Sequence, residues 1–136
     1  MNVDQAKNSS RSFHLASGRC IEQRPIGPGQ VEFLAVPAIV CEAFAVELGL
    51  KTLIMRKGGS KKVKGHNLAE LFGKLFTSEQ MALINAVGLP ETNFREELVS
   101  VSTVFEDWRY VFEASTQKTV NTQFLKTLST AVQEML

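Results

Sequence analysis

Residues 33 to 50 read FLAVPAIVCEAFAVELGL, and the architecture turns on whether this stretch crosses a bilayer or lies inside a folded protein. A bilayer span takes about 20 apolar residues with few or no charges. Pro37, Glu42 and Glu47 interrupt the run, so it reads as a buried helix. The periodicity extends it over residues 31 to 57, with a bend at Pro37 and an end at Gly58-Gly59, where glycine commonly closes a helix. Phe33, Val40, Phe44, Leu48 and Met55 share one face, and Glu47 and Lys51 fall within that apolar stripe. Charges are placed in such a face when they are paired, and Glu before Lys at i, i+4 is the favoured order. The strip of Glu42, Ala45, Gly49, Thr52 and Arg56 reads as outward-facing. Mid-helix glycine costs about 1 kcal/mol against alanine, so Ala45 and Gly49 imply close approach of another helix.

Elsewhere apolar residues recur at three and four rather than two, and no segment reads as a strand. Residues 3 to 17 give a weak, polar helix. Residues 17 to 30, SGRCIEQRPIGPGQ, form a loop punctuated by glycine and proline. His66 to Leu75 gives a short helix. Thr77 with Gln80 reads as a capping box opening a helix over 78 to 87, stopped by Gly88 and Pro90. A second long helix covers 91 to 114. The last, 119 to 136, carries Val120, Phe124, Leu128, Ala131 and Met135 on one stripe. Five to six helices with short connections make an all-α, up-and-down bundle, and 136 residues make one domain spanning 1 to 136.

Hydrophobic residues at 44% and charged residues at 21% are ordinary for a globular chain. A net charge of +1 argues against a surface devoted wholly to nucleic acid, while leaving room for a local patch. The start, MNVDQAKNSSRSF, lacks the apolar core of a signal peptide. Cys20 and Cys41 fit neither a metal spacing nor a disulfide framework, so free thiols and a cytoplasmic location are expected, with no membrane partner.

Three stretches carry candidate chemistry. Residues 105 to 113, FEDWRYVFE, continue a seam of Leu98, Val101, Phe105, Trp108 and Phe112 that alternates steps of three and four, the pattern of a core-facing helix. Arg109 lies about 60° from the seam's centre, with Glu106 and Glu113 at i−3 and i+4 to anchor its guanidinium. Tyr110 points to the same flank. The expectation is that Glu47, Lys51 and Arg109 meet between the two long helices. The basic run RKGGSKKVKGH, 56 to 66, lacks the glycine spacing of a phosphate loop. Lys61, Lys62 and Lys64 read either as a solvated turn or as contacts to phosphate or an RNA backbone. His66 reads either as a helix cap or as a residue facing the apolar stripe of Leu68, Leu71, Phe72 and Leu75. With His14 the only other histidine, no clustered metal site is expected, and no cofactor.

Glu47 and Lys51 in AVELGLKTLI, the segment from Gly65 to Phe72 (GHNLAELF), and Phe105 to Glu113, in that order, resemble the HEPN superfamily over roughly residues 30 to 115. The resemblance implies a helical bundle that dimerises, found in toxin–antitoxin and defence systems, with a nucleotidyltransferase as one kind of partner protein. Active members of the family are metal-independent ribonucleases that pair an arginine with a histidine about a turn later. Arg109 matches the arginine. Ala114, Ser115 and Thr116 stand where the histidine belongs, and none follows His66. The resemblance thus implies a non-catalytic module that binds a partner protein, a nucleotide or RNA through Arg109, Glu113, Glu47, Lys51 and the Lys61–Lys64 loop. Its alternative is a ribonuclease using Arg109, Tyr110 and His66.

Overall fold

The structure, a computed structural model, describes residues 2–58, 63–111 and 119–136. In chain order it contains α1 (Val3–Cys20), β1 (Arg24–Gly27), β2 (Gln30–Glu32), α2 (Ala35–Gly58), α3 (Leu68–Gly73), α4 (Thr77–Val87), α5 (Glu91–Val101), α6 (Val104–Arg109) and α7 (Thr122–Glu134). The all-α bundle is thereby established. Among the described residues no helix is long and apolar enough to cross a membrane.

Helix α2 is the axle. Its residues Ala43, Ala45, Val46, Leu48 and Leu50 are each at most 2% exposed, because neighbouring helices surround it on several sides. Pro37 falls in its first turn, where a missing N–H leaves no gap in the hydrogen-bond ladder. The strip of Glu42, Ala45, Gly49 and Thr52 faces inward, not outward: all four are buried. A Cβ built on Gly49 would overlap Val132 Cγ1 of α7 and lie 3.1 Å from Ser10 Oγ of α1. The close helix approach implied by the small residues is therefore made within the chain, by α1 and α7.

Helix α1 docks on α2 largely through hydroxyls. Ala6, Ser10 and Ser17 are buried; Ser10 Oγ donates to the Ala45 carbonyl at 2.6 Å and Ser17 Oγ to the Ala38 carbonyl at 2.8 Å. Gln133 of α7 closes the set by donating to Ser10 Oγ at 2.8 Å. This is why α1 reads as weak and polar: its docking stripe is made of serines. Asn2 and Gln5 form a reciprocal capping box at its start.

Four expectations are corrected. The loop contains an antiparallel β1–β2 hairpin, Arg24 opposite Glu32 and Gly27 opposite Gln30. It escapes a period-two reading because it is short, bulged and turned by Gly29 at φ 69°. Helix α4 is capped by Glu79, which accepts from the Phe76 N–H at 3.0 Å, while Gln80 donates to the Leu75 carbonyl. The α3 cap is Asn67, accepting from the Glu70 N–H, which leaves His66 just outside the helix. The expected helix over 91 to 114 breaks at Ser102-Thr103. Ser102 bonds back to Val99 through both its N–H and its hydroxyl, Thr103 Oγ1 donates to Asp107, and such local bonds compete with the helical ladder. The Ser102 carbonyl accepts from the Leu68 N–H at 3.0 Å, which pins the start of α3 to this break. Phe112 and Glu113 lie outside the described residues.

Inside, α2 to α7 share one apolar cluster. Phe94 sits at its middle, 5.3 Å from Phe72 and 5.6 Å from Phe124, centroid to centroid.

Candidate functional site

The pin between Leu68 and Ser102 sets His66, two residues before it, beside Phe105, one turn after the break. Glu47 reaches the same place from α2. It is 1% exposed, and both its oxygens are taken: Oε1 by His66 Nδ1 at 2.8 Å and Oε2 by Lys51 Nζ at 3.2 Å. The Glu47–Lys51 pair is thus present, and its third member is His66. The His66 ring is 46% exposed. With Nδ1 held by a buried carboxylate, Nε2 is left without a hydrogen-bond partner among the described residues.

Arg109 is exposed and joins through rings instead of the carboxylate. Its guanidinium carbon lies 4.5 Å from the Phe105 centroid and 5.3 Å from that of Tyr110. Phe105 stacks on Phe44 at 4.6 Å and 15°, and its centroid is 5.9 Å from that of His66. One phenyl ring therefore links the imidazole and the guanidinium. Cation–π contact of this kind at exposed positions contributes about 0.5–1 kcal/mol. The expected anchoring by Glu106 is not made: among the described residues no carboxylate pairs with Arg109. The continuous helical wheel placed it too near the core because the break at Ser102 was not visible. Tyr110 is 53% exposed.

Of the basic run, Arg56 and Lys57 serve the fold. Arg56 donates to the Met135 carbonyl. Lys57 pairs with Glu79 at 2.6 Å and lies over the Phe76 ring. Lys64 is exposed, two residues from His66. Lys61 and Lys62 lie outside the described residues, as does Glu113. No group of three or more metal-ligating side chains occurs among the described residues.

A second histidine–glutamate pair, not anticipated from sequence, lies about 140° around α2. His14 Nδ1 is 2.7 Å from Glu42 Oε1 and 3.0 Å from Ser129 Oγ. Serine and carboxylate meet the same ring nitrogen, so this is no nucleophilic triad, which needs them on opposite nitrogens. The available signal was composition: two histidines, and two glutamates inside one apolar helix. Beside this pair Cys41 is half-buried, and burial first, then Cys20 and Glu42, push its thiol above 9.0.

Compared with protein-family models, curated proteins and solved structures, the chain matches none.

Proposed function

We propose that this chain is a HEPN-like, non-catalytic helical module that binds RNA or a nucleotide at the surface of Lys64, His66, Arg109 and Tyr110. The observation that carries the reading is the Phe105 ring, which holds an exposed guanidinium and an exposed imidazole over one aromatic column. Guanidinium groups recognise phosphate by paired N–H donors, and bases stack on exposed aromatic rings with little regard to sequence. In a toxin–antitoxin or defence setting the module would act as a homodimer beside a nucleotidyltransferase. The dimer face would lie elsewhere than Ala45 and Gly49, which α1 and α7 already cover.

A labelled single-stranded RNA in EDTA, followed by anisotropy, tests this directly. Wild type should bind at micromolar concentration, less tightly as salt rises. Arg109→Ala should weaken binding about ten-fold, in line with losing one stacked cationic contact, while lowering the melting temperature by no more than about 5 °C. No binding at low salt would refute the reading.

The His66–Glu47 dyad favours a second reading, a metal-independent ribonuclease. A carboxylate holding Nδ1 fixes the tautomer that leaves Nε2 to take or give a proton, which is the role the sequence leaves empty after Arg109. RNA cleavage in EDTA that is lost in both Arg109→Ala and His66→Ala would decide for this reading over simple binding.

A further inference from the structure

The second glutamate of α2 opens onto a groove. Between α1, the hairpin's exit and α7 lies a cavity of about 630 Å³ lined by Leu15, Ile21, Phe33, Ile39, His14 and Glu42, among others. That is the size of a small-molecule site. Its walls are apolar and unusually bare: Leu15 is 57% and Phe33 56% exposed. Glu42 itself is 6% exposed.

The charge arrangement selects the ligand. Glu47 has Lys51 for a permanent counter-charge. Among the described residues no lysine or arginine pairs with Glu42, whose only partner is His14 on Oε1. Among the described residues Oε2 receives no hydrogen bond. Since no fully buried side-chain oxygen or nitrogen among the described residues lacks a partner, Oε2 must keep access to solvent, and Glu42 lines the groove. A carboxylate held in apolar surroundings with one oxygen unfilled is stabilised by a donor that brings positive charge. Lys126 stands exposed at the groove's lining and makes no ion pair with Glu42.

We infer that this groove binds a small primary ammonium ligand with an apolar body, its ammonium on Glu42 Oε2 and its body against Phe33, Leu15 and Ile39. The site is separate from the Arg109 surface and stands whatever that surface binds.

Isothermal titration with phenethylammonium, phenethyl alcohol and 3-phenylpropanoate, three ligands of similar shape, tests the inference. The ammonium should bind about ten-fold tighter than the alcohol, as a charge-assisted bond predicts, and the carboxylate weakest. In Glu42→Gln, which keeps an acceptor for His14, the preference should fall to about unity with alcohol binding retained. Equal affinity for all three would mean a merely greasy groove, tightest binding of the carboxylate would mean that Lys126 governs it, and no binding at about millimolar concentration would mean no site; each overturns the inference. If Glu42→Gln does not fold by circular dichroism, Gly18→Phe serves instead. Gly18 lines the groove, and a Cβ there meets nothing within 4 Å. That variant should lose at least about ten-fold in ammonium affinity by occlusion, and unchanged affinity would likewise overturn the inference.

Discussion

Glu42 and Glu47 are chemically identical, lie on one helix and are both buried, yet their surroundings treat them differently. Glu47 is closed in: a lysine and a histidine take its two oxygens, and aromatic rings wall the site. Glu42 has one histidine, one serine nearby through that histidine, and a groove. A carboxylate whose charge is matched inside the fold is a structural element that positions others. One whose charge is only half answered is available to something from outside. The contrast suggests that burial alone does not mark a functional carboxylate; the unfilled acceptor does.

The largest effect should come from removing Glu47's counter-charge. Lys51→Met leaves a carboxylate at 1% exposure short of its cation, and should cost about 3 kcal/mol in urea unfolding. The double variant Glu47→Leu/Lys51→Met should recover most of it, because an ion pair replaced by packed apolar groups is often neutral. His14→Gln, the matching lesion at Glu42, should cost only about 1 kcal/mol, since the groove lets water take the lost bond. Equal costs at the two sites would break the comparison.

Next in size is Gly49→Ala, which probes how tightly the Glu42 side is held. The added methyl meets Val132, a β-branched side chain with little rotamer freedom. Overpacking should outweigh the gain in helix propensity and cost about 1–2 kcal/mol by thermal unfolding. Unchanged stability would mean α7 yields easily and does not fix Ser129 against His14.

The smallest effect sharpens the contrast most directly. Glu42 is one of the causes raising the Cys41 thiol, so Glu42→Gln should speed Cys41 alkylation in mildly alkaline buffer, read by mass spectrometry. An unchanged rate would mean that burial and Cys20 raise the thiol without Glu42. The sign for stability follows from the same shift. A thiol whose folded pKa exceeds the unfolded value of 9.0 supports the fold in full below pH 9.0, and that support is lost as pH climbs through the raised value.

The helical class was legible because periodicity in residues 33 to 57 and 119 to 136 is strong, and the seam Leu98, Val101, Phe105 is indeed buried. The Glu47–Lys51 pair was legible for the same reason, since two charges in an apolar stripe imply each other. What could not be read required tertiary contacts. The break at Ser102-Thr103 is made by local bonds, but the bond from the Leu68 N–H that pins α3 to it comes from far away in sequence. His66 and Glu47 meet across two elements, and nothing local to either says so. The strip of Glu42 to Thr52 looked outward because it is small and polar, whereas α1 presents serines to match it. Hydroxyl-to-carbonyl docking leaves no hydrophobic trace.

That mode of docking has a thermodynamic consequence. Helix α1 buries Ala6, Ser10 and Ser17 and adds the edge contact of Phe13 with Phe44, so hydroxyls take a large share of its docking stripe. Denaturant sensitivity and heat capacity both scale with the surface exposed. Release of α1 would therefore leave a smaller mark on the curvature of stability with temperature than release of an apolar helix of its length, because exposed polar groups lower the heat capacity that exposed apolar groups raise. It would be recorded in amide exchange, where the opening of α1 sets its own protection level below that of α2, and each such opening would unroof the groove over Glu42.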